Sequence, residues 1–348
     1  MFKILRRLAM TAGLALAVPT TSSAADLFTP HGLYNSALIS DLSGGSKTGT
    51  VAVGAVHAQL FTDATPLGVP GLSLFLDGLG SYGGAPDALI GDAQGVSAIA
   101  APPALRLYEG WLQYARDGVS ILAGQYDLNS EFYRLASAGL FLNSAFGIGP
   151  EYAQSGVANP SLFPDPSLAL RLAYKPADAV VLRLAVLNER ALDHGGSDGA
   201  LFIGELALLD RSDALPPGES RARVGRNAGL PAYENKLALG AWYDSKGNPD
   251  AFGPGNHHAA GAYAIGDVLL GTLGSGKLTG FAQLGISDGR VGRFGAYLGA
   301  GLTAVGLVAG RPNDELGLAV ARAQNGAHFR SFQDSLPGLE PRDAETTL

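Results

Sequence analysis

The sequence predicts an all-β chain that forms a transmembrane antiparallel β-barrel, and three observations lead to this fold class. Residues 168–174 place apolar side chains at every second position, with Arg171 between them. Residues 180–186 repeat the alternation after a turn signal, with Arg183 on the polar parity. Successive side chains of a strand point to opposite faces, so each strand presents an apolar face and a face with a cation. A soluble sandwich could use this pattern, but here it recurs along the chain and follows an export signal.

The export signal occupies the first 25 residues. A cationic start lies within residues 3–7, an apolar stretch covers 8–18, and small residues at 21–25 form a cleavage region. A retained membrane anchor needs about 20 apolar residues, more than this stretch provides. We therefore expect a signal peptide at 1–25 and an exported mature chain at 26–348.

No later segment replaces it as a membrane helix. The longest uncharged apolar stretch, residues 294–310, is interrupted by glycines. It also falls short of the 18 or more apolar residues that indicate a spanning helix. A membrane location would therefore require a closed barrel, the other structure that satisfies backbone groups in hydrocarbon.

Composition narrows the possible functions. The chain has 49 glycines among 348 residues and only 16% charged residues, as expected for strands joined by tight turns. Without residues 1–25 it keeps 21 basic against 31 acidic residues, which disfavours a nucleic-acid partner. It contains no cysteine, which excludes disulfides and thiolate metal sites.

Thirteen segments have the length and alternation of barrel strands. Tight turns at 115–118 and 175–179 are expected at one end of the barrel, and long loops at 128–166 and 210–234 at the other. The predicted strands are 33–41, 50–61, 71–80, 105–114, 119–127, 167–175, 180–188, 200–209, 235–244, 258–269, 277–286, 297–309 and 315–323.

The loop at 128–166 is much longer than an ordinary connection. Its aromatic side chains, among them Phe132, Tyr133 and Phe146, would be left in water if the loop were disordered. We expect the loop to fold inward and narrow the pore. The alternative is a lid packed on the outside of the rim.

Six motifs occur in order along the chain. They are Gly-Asp-Ala-Gln-Gly-Val-Ser at 91–97, Leu-Tyr-Glu-Gly-Trp-Leu-Gln at 107–113, Ala-Gly-Gln-Tyr-Asp-Leu-Asn-Ser-Glu-Phe at 123–132, Phe-Leu-Asn-Ser at 141–144, Gly-Leu-Thr-Ala-Val-Gly-Leu at 301–307 and Gly-Arg-Pro-Asn-Asp at 310–314. In order and spacing they resemble the OprB-like family of carbohydrate-selective outer-membrane porins, and the resemblance runs from about residue 33 to the end of the chain. It implies a usually monomeric barrel of 16 strands that admits sugars by diffusion through the outer membrane of a Gram-negative bacterium.

The chain departs from the family pattern at two places. Ala98 and Ala100 stand where the family usually has an Asn and an acidic residue. The chain also ends at 345–348, where the family has a strand beginning and several more strands after it. We therefore expect the barrel to be C-terminally incomplete.

The candidate sugar-binding residues are polar and aromatic side chains on the predicted inner wall. Facing arginines and carboxylates offer hydrogen-bond donors and acceptors at once, and aromatic faces cover the C–H surface of a sugar. Any one of them could equally be ordinary wall lining, since barrel interiors are polar throughout. These residues are Arg171, Arg183, Glu109, Gln113, Gln125, Asp127, Trp111 and Tyr133.

Arg106 is a further candidate whose facing is ambiguous. It shares the parity of Leu112, which would point Arg106 to lipid if Glu109 and Trp111 face the lumen. Arginine on the lipid face costs about 2–4 kcal/mol at mid-depth. We expect Arg106 to lie at the rim or before a β-bulge.

Enzymatic motifs are weak. No Gly-x-Ser-x-Gly elbow occurs, the six histidines lack metal-ligand spacing, and the glycine pattern at 78–83 is followed by Pro86 where a helix should begin. The expected function is passive diffusion of mono- or oligosaccharides, with no cofactor, sugars and outer-membrane lipid as partners, and a monomeric state. The alternatives are an anion-selective nutrient porin, a barrel hydrolase or a secreted soluble β-protein.

Overall fold

In the part of the chain that the structure describes, fifteen antiparallel strands form a single sheet in which each strand pairs with the next in sequence. The computed structural model describes residues 9–14, 28–155, 160–188, 199–210, 233–337 and 342–348. The strands are β1 (Ala9–Leu14), β2 (Phe28–Asp41), β3 (Gly49–Asp63), β4 (Leu72–Gly83), β5 (Ala104–Arg116), β6 (Val119–Tyr126), β7 (Ser167–Ala177), β8 (Val180–Asn188), β9 (Ala200–Leu209), β10 (Lys236–Pro249), β11 (Asn256–Leu273), β12 (Gly276–Ser287), β13 (Phe294–Val305), β14 (Glu315–Asn325) and β15 (Ala344–Thr347).

All thirteen predicted strands are present, and most extend a few residues beyond the predicted bounds. The all-β antiparallel fold is therefore confirmed. The alternation did not predict β1, whereas β15 lies where the family resemblance implies the beginning of a strand. β1 lies within the predicted signal peptide and pairs with β2. The rest of the segment 1–25 lies outside the described residues, and so do residues 156–159 of the connection between β6 and β7.

Helices are short and lie in the connections. No helix in the described part of the chain is long and apolar enough to cross a membrane. Three-residue 3-10 turns lie at Thr65–Leu67, Leu128–Ser130 and Ala138–Leu140. The α-helices are α1 (Pro86–Ile90), α2 (Ser144–Gly147), α3 (Pro150–Ala153) and α4 (Ala327–Asp334).

The apolar faces of the strands point outward. In β7, Leu170 is 56% exposed, whereas its neighbour Arg171 is fully buried. In β8, Leu184 is 47% exposed, and Ala185 is buried. A water-soluble sheet buries its apolar face, whereas a lipid-facing barrel exposes it and encloses a polar interior. The prediction that the apolar face of each strand points outward and the polar face inward is therefore confirmed.

The connections alternate between two ends of the sheet. Tight turns at 117–118, 178–179 and 274–275 lie at one end, here called the turn end. The connection at 127–166 lies at the opposite end, the loop end, and this agrees with the prediction. Leu209 of β9 and Lys236 of β10, the strand ends that the connection at 210–234 joins, lie at the turn end, so the predicted end for this connection is wrong. Residues 211–232 themselves lie outside the described residues. Three antiparallel strands separate these two connections, and an odd number of strands places them at opposite ends.

Residues 128–166, here called the inserted loop, pack against the inward face of the sheet. Tyr133 N donates to Glu205 Oε2 of β9 at 2.9 Å. Tyr297 Oη of β13 donates to the carbonyl of Ala145 at 2.7 Å. Arg171 of β7 pairs with the loop from the other side. β7, β9 and β13 thus contact the same segment, so the sheet curves around it.

The connection between β4 and β5 supports the inserted loop. Ala98 N donates to Leu142 O at 2.7 Å, and Ser144 N donates to Gly95 O at 2.8 Å. Backbone groups therefore make the contacts at Ala98, where the family usually has a polar side chain. Ala93 N also donates to Glu345 Oε1 of β15 at 3.1 Å, which connects this loop to the last strand of the sheet.

Candidate functional site

A β-bulge in β5 decides the facing of several candidate residues. Asp77 of β4 pairs with Glu109 and Gly78 pairs with Leu107, which leaves Tyr108 as the extra residue. A bulge shifts the alternation by one residue. Arg106 therefore points inward, as do Tyr108 and Glu109, and Arg106 forms an ion pair with Asp165 of the inserted loop. The expectation that Arg106 precedes a bulge is confirmed.

The bulge lies within a network of polar groups on the inward face. Tyr108 Oη donates to Asp127 Oδ2 at 2.6 Å, and Asp127 N donates to Glu109 Oε1 at 2.9 Å. On the neighbouring strands, His57 Nδ1 and Gln59 Nε2 each lie 2.9 Å from Asp77 Oδ2. Candidates Glu109 and Asp127 are thus both held by the protein beside the lumen.

Arg171 holds the inserted loop to the wall. Its Nε lies 2.8 Å from Glu131 Oε2, and its Nη2 donates to Gln113 Oε1 at 2.7 Å. Its Nη1 contacts both the carbonyl and the hydroxyl of Ser120. Tyr126 of β6 also donates a hydrogen bond from its Oη to Glu131 Oε2, at 2.5 Å. Arg171 and Gln113 are therefore brought together, and the guanidinium is fully engaged with protein groups.

Arg183 lies in a second charged group farther around the sheet. Its Nη1 is 3.5 Å from Glu205 Oε1, and Lys236 Nζ is 3.8 Å from the same oxygen. Tyr263 Oη donates to Glu205 Oε2 at 2.8 Å. The Arg183 side chain keeps 11% exposure, so a small part of it reaches the lumen. Two cations share one buried carboxylate at this position.

The two aromatic candidates occupy different surroundings. Trp111 is buried on the inward face and stacks on Phe75, with ring centroids 5.2 Å apart. Tyr133 lies in the inserted loop, its ring centroid 4.3 Å from that of Tyr263 and 6.4 Å from that of Tyr152. Both rings pack within the wall or the loop and leave almost no exposed face.

Gln125 is not brought to the lumen with the other candidates. It pairs with Leu168 of β7, whose side chain is 40% exposed on the outward face. Its Nε2 donates to Leu107 O at 3.0 Å. The β5–β6 ladder ends at the pair Gly110–Gln125, before Leu107, and a backbone carbonyl in an apolar environment needs a hydrogen-bond donor. Gln125 therefore hydrogen-bonds to the backbone carbonyl of Leu107 on the outer surface.

Sequence reasoning missed the acidic partners of the arginines. Glu131 lies in a loop without periodicity, so no pattern indicated its direction. Glu205 interrupts a strand whose opposite parity is apolar, and this signal was available in the sequence. Trp242 was also missed; its ring stacks on Tyr152 of the inserted loop with centroids 4.1 Å apart.

Glu151 is a buried carboxyl at the contact between α3 and the wall. Its Oε1 accepts a hydrogen bond from Tyr133 Oη at 2.9 Å. Burial raises the pKa of Glu151 to about 7, because the charged form loses its hydration. The space for this carboxyl is provided by Gly285 of β12. The inserted loop therefore packs against the wall at a position where β12 has no side chain.

Gly285→Ala is expected to loosen the inserted loop. The added Cβ would lie 1.7 Å from Glu151 Oε1 and 3.0 Å from Tyr133 Oη, so the carboxyl must move. Overpacking of this kind costs about 1–3 kcal/mol. The expected result is a larger single-channel ion conductance in planar bilayers.

Two variants control this experiment. Gly80→Ala places its Cβ no closer than 3.9 Å to Leu105 and should leave the conductance unchanged. Combining Gly285→Ala with Glu151→Ala removes the obstructing carboxyl and should return the conductance toward that of the wild type. A conductance of Gly285→Ala equal to that of the wild type contradicts the proposed fit.

The arginines of the inward face lie in ion pairs. Arg106, Arg171 and Arg183 each lie beside a carboxylate. Within the described ranges, no group of three or more His, Cys, Asp or Glu side chains is placed to hold a metal ion. The arrangement offers hydrogen-bond donors and acceptors along the inward face, where Asp77 and Glu109 add further carboxylates.

An apolar exterior, a polar interior and an inserted loop define this chain as a porin. A family model described as carbohydrate-selective porin, OprB family, matches residues 47–348. The chain belongs to this family, and the resemblance found in the sequence is confirmed.

Solved structures agree with this assignment. The high-pH structure of Pseudomonas putida OprB is similar with a TM-score of 0.76 and 16% identity, and the match covers 93% of this chain and 84% of that one. The low-pH structure of the same protein is similar with a TM-score of 0.52 and 14% identity, covering 86% and 79%. These likenesses show the fold. No curated protein sequence matches the chain.

Proposed function

We propose that this protein is a passive channel for neutral mono- or oligosaccharides in the outer membrane of a Gram-negative bacterium. The observation that carries the proposal is the pairing of lumen cations with carboxylates beside an inserted loop. A neutral polyol needs donors and acceptors without a strong net field. Membership of a carbohydrate-selective family supports the same substrate class.

The competing anion-selective channel requires different lumen chemistry. Anion pores use rings of uncompensated arginine or lysine. Here Glu205 faces both Arg183 and Lys236, and Glu131 faces Arg171. These carboxylates reduce the attraction that an anion would feel, so the paired arrangement favours a neutral solute.

The orientation and processing of the chain belong to the same proposal. Outer-membrane barrels have short periplasmic turns and longer extracellular loops. The turn end would therefore face the periplasm and the loop end the outside. Export would use the signal peptide at 1–25, and the channel would act as a monomer without a cofactor.

Planar-bilayer conductance tests the proposal. We expect ionic conductance that glucose reduces in a dose-dependent way, because a bound sugar obstructs ions. Strong anion selectivity without sugar block would indicate the anion-selective alternative, and failure to insert would indicate a soluble protein. Release of a hydrolysed product from a lipid or ester substrate would indicate a barrel hydrolase.

Arg183→Ala should weaken the glucose block in the same experiment. Its guanidinium is partly exposed beside Glu205, and loss of one hydrogen bond to a sugar is expected to raise the half-blocking concentration about three- to tenfold. Arg116→Ala is the matched control, because Arg116 is 72% exposed where β5 meets its turn. An unchanged block in Arg183→Ala removes this residue from the sugar path.

A further inference from the structure

His57 is an inward-facing side chain of β3 that the sequence did not single out. Its Nδ1 lies 2.9 Å from Asp77 Oδ2 and 3.1 Å from Asp77 Oδ1. Asp77 is buried on β4 and also accepts a hydrogen bond from Gln59 Nε2 at 2.9 Å. A carboxylate that faces Nδ1 keeps the ring proton on that nitrogen. Asp77 therefore fixes both the orientation and the tautomer of His57.

The other ring nitrogen is available to a ligand. With the proton on Nδ1, Nε2 of the neutral ring is a hydrogen-bond acceptor. Within the part of the chain that the structure describes, no protein group hydrogen-bonds to His57 Nε2. The side chain is 12% exposed, and its inward position turns this exposed part to the lumen.

The bulge in β5 brings further polar groups next to His57. The Tyr108 ring packs edge-on against the His57 ring, with centroids 5.6 Å apart. Phe163 of the inserted loop contacts the same Tyr108 ring at 5.9 Å. Two residues later, Asp165 pairs with Arg106 of β5. Wall and loop thus place an imidazole acceptor, a guanidinium donor and a carboxylate acceptor in one region.

This set of groups matches the chemistry of a neutral sugar. Each sugar hydroxyl can donate one hydrogen bond and accept others, so neighbouring hydroxyls can use donors and acceptors together. Arg106 and Asp165 are 22% and 36% exposed, so both keep surface that a ligand can reach. Bulges often occur beside functional sites, where they redirect side chains.

We propose that His57 Nε2 accepts a hydrogen bond from a sugar hydroxyl, and that His57, Arg106 and Asp165 form one sugar subsite of the channel. The inference rests on the proposed function, because it assumes that sugars pass through this lumen. Asp77 is a positioning residue that acts through His57.

His57→Ala tests the contact directly. The half-blocking concentration of glucose in planar bilayers should rise about three- to tenfold, the loss expected for one hydrogen bond. His258→Ala is the matched control, since the His258 ring stacks on outward-facing Tyr243. The half-blocking concentration of glucose in this control should equal that of the wild type.

Asp77→Asn tests the positioning role. It should raise the half-blocking concentration in the wild-type background and have no further effect when combined with His57→Ala. Residues that act through one contact show such non-additivity. Additive effects of the two substitutions would show that Asp77 supports the wall independently of His57, and would overturn its assigned role.

A thiol-protection experiment keeps the proposal testable if His57→Ala fails to assemble. The chain contains no cysteine, so His57→Cys introduces a unique thiol. Glucose should slow its reaction with a charged methanethiosulfonate reagent several-fold, and should not slow the reaction of a His258→Cys variant.

The outcomes separate this inference from the proposed function. Glucose block of the wild type that persists unchanged in His57→Ala, or equal labelling of His57→Cys with and without glucose, would overturn the subsite alone. A wild-type channel that conducts ions but is not blocked by glucose would overturn both.

Discussion

Replacing Arg171 with methionine is expected to release part of the inserted loop and to raise the single-channel ion conductance. Methionine keeps an apolar stem but leaves Glu131 without its cation. The Glu131 side chain is only 8% exposed, so its charge cannot be hydrated in place. Removing one partner of a buried ion pair typically costs about 3–5 kcal/mol. The conductance and the thermal midpoint of unfolding would measure the loss.

A double variant separates the ion pair from general disruption of the wall. Adding Glu131→Gln to Arg171→Met removes the unpaired charge, and a neutral pair in a buried site is often tolerated. We expect the double variant to recover most of the wild-type conductance and stability. Equal defects in the single and double variants would contradict the anchoring role of this pair.

The case of Arg171 shows how far the sequence determines a site. The alternation in β7 predicted its inward face, because the neighbouring positions are apolar. The alternation did not indicate its partner, since Glu131 is separated from it by 40 residues and lies in an irregular loop. Contact of Arg171 with sugar remains a prediction, and the observed contacts favour an anchoring role.

The strands themselves were predictable because their signal is local. Barrel strands alternate between lipid and a polar interior, and this period of two is readable within each segment. The positions of the connections also follow from the strands, because an antiparallel meander changes ends at every connection. The error at 210–234 came from judging loop length alone, although the predicted strand list already implied the turn end.

The prediction of side-chain facing was ambiguous for Arg106 because the alternation is interrupted there. The bulge at Tyr108 arises from the pairing of β5 with β4, leaves no distinct pattern in the sequence and turns Arg106 into the lumen. Gln125 lies on β6, which pairs with β7 without a register shift, and it shares the parity of outward-facing Ile121, so its outward position could be read from the sequence. Register across strands is a tertiary property, so residues near a bulge are the least predictable from periodicity.

Leu170→Arg and Leu184→Arg are expected to prevent assembly in the membrane. Both leucines project from the outward face of neighbouring strands, where Leu170 pairs with Val186 and Leu184 pairs with Leu172. Arginine on the lipid face of a barrel costs about 2–4 kcal/mol near the bilayer midplane. The loss of folded, heat-modifiable protein in outer-membrane fractions would measure the defect.

Leu67→Arg distinguishes a lipid-facing surface from a merely exposed one. Leu67 is 66% exposed, more than Leu170 at 56%, but it lies in a turn between β3 and β4 rather than in a strand. In a water-soluble protein, arginine would be tolerated at both positions, because both side chains contact solvent. In a membrane barrel, only the turn position reaches water. Normal assembly of Leu67→Arg together with failure of Leu170→Arg is therefore expected, and normal assembly of all three variants would show that the outward leucines do not face lipid.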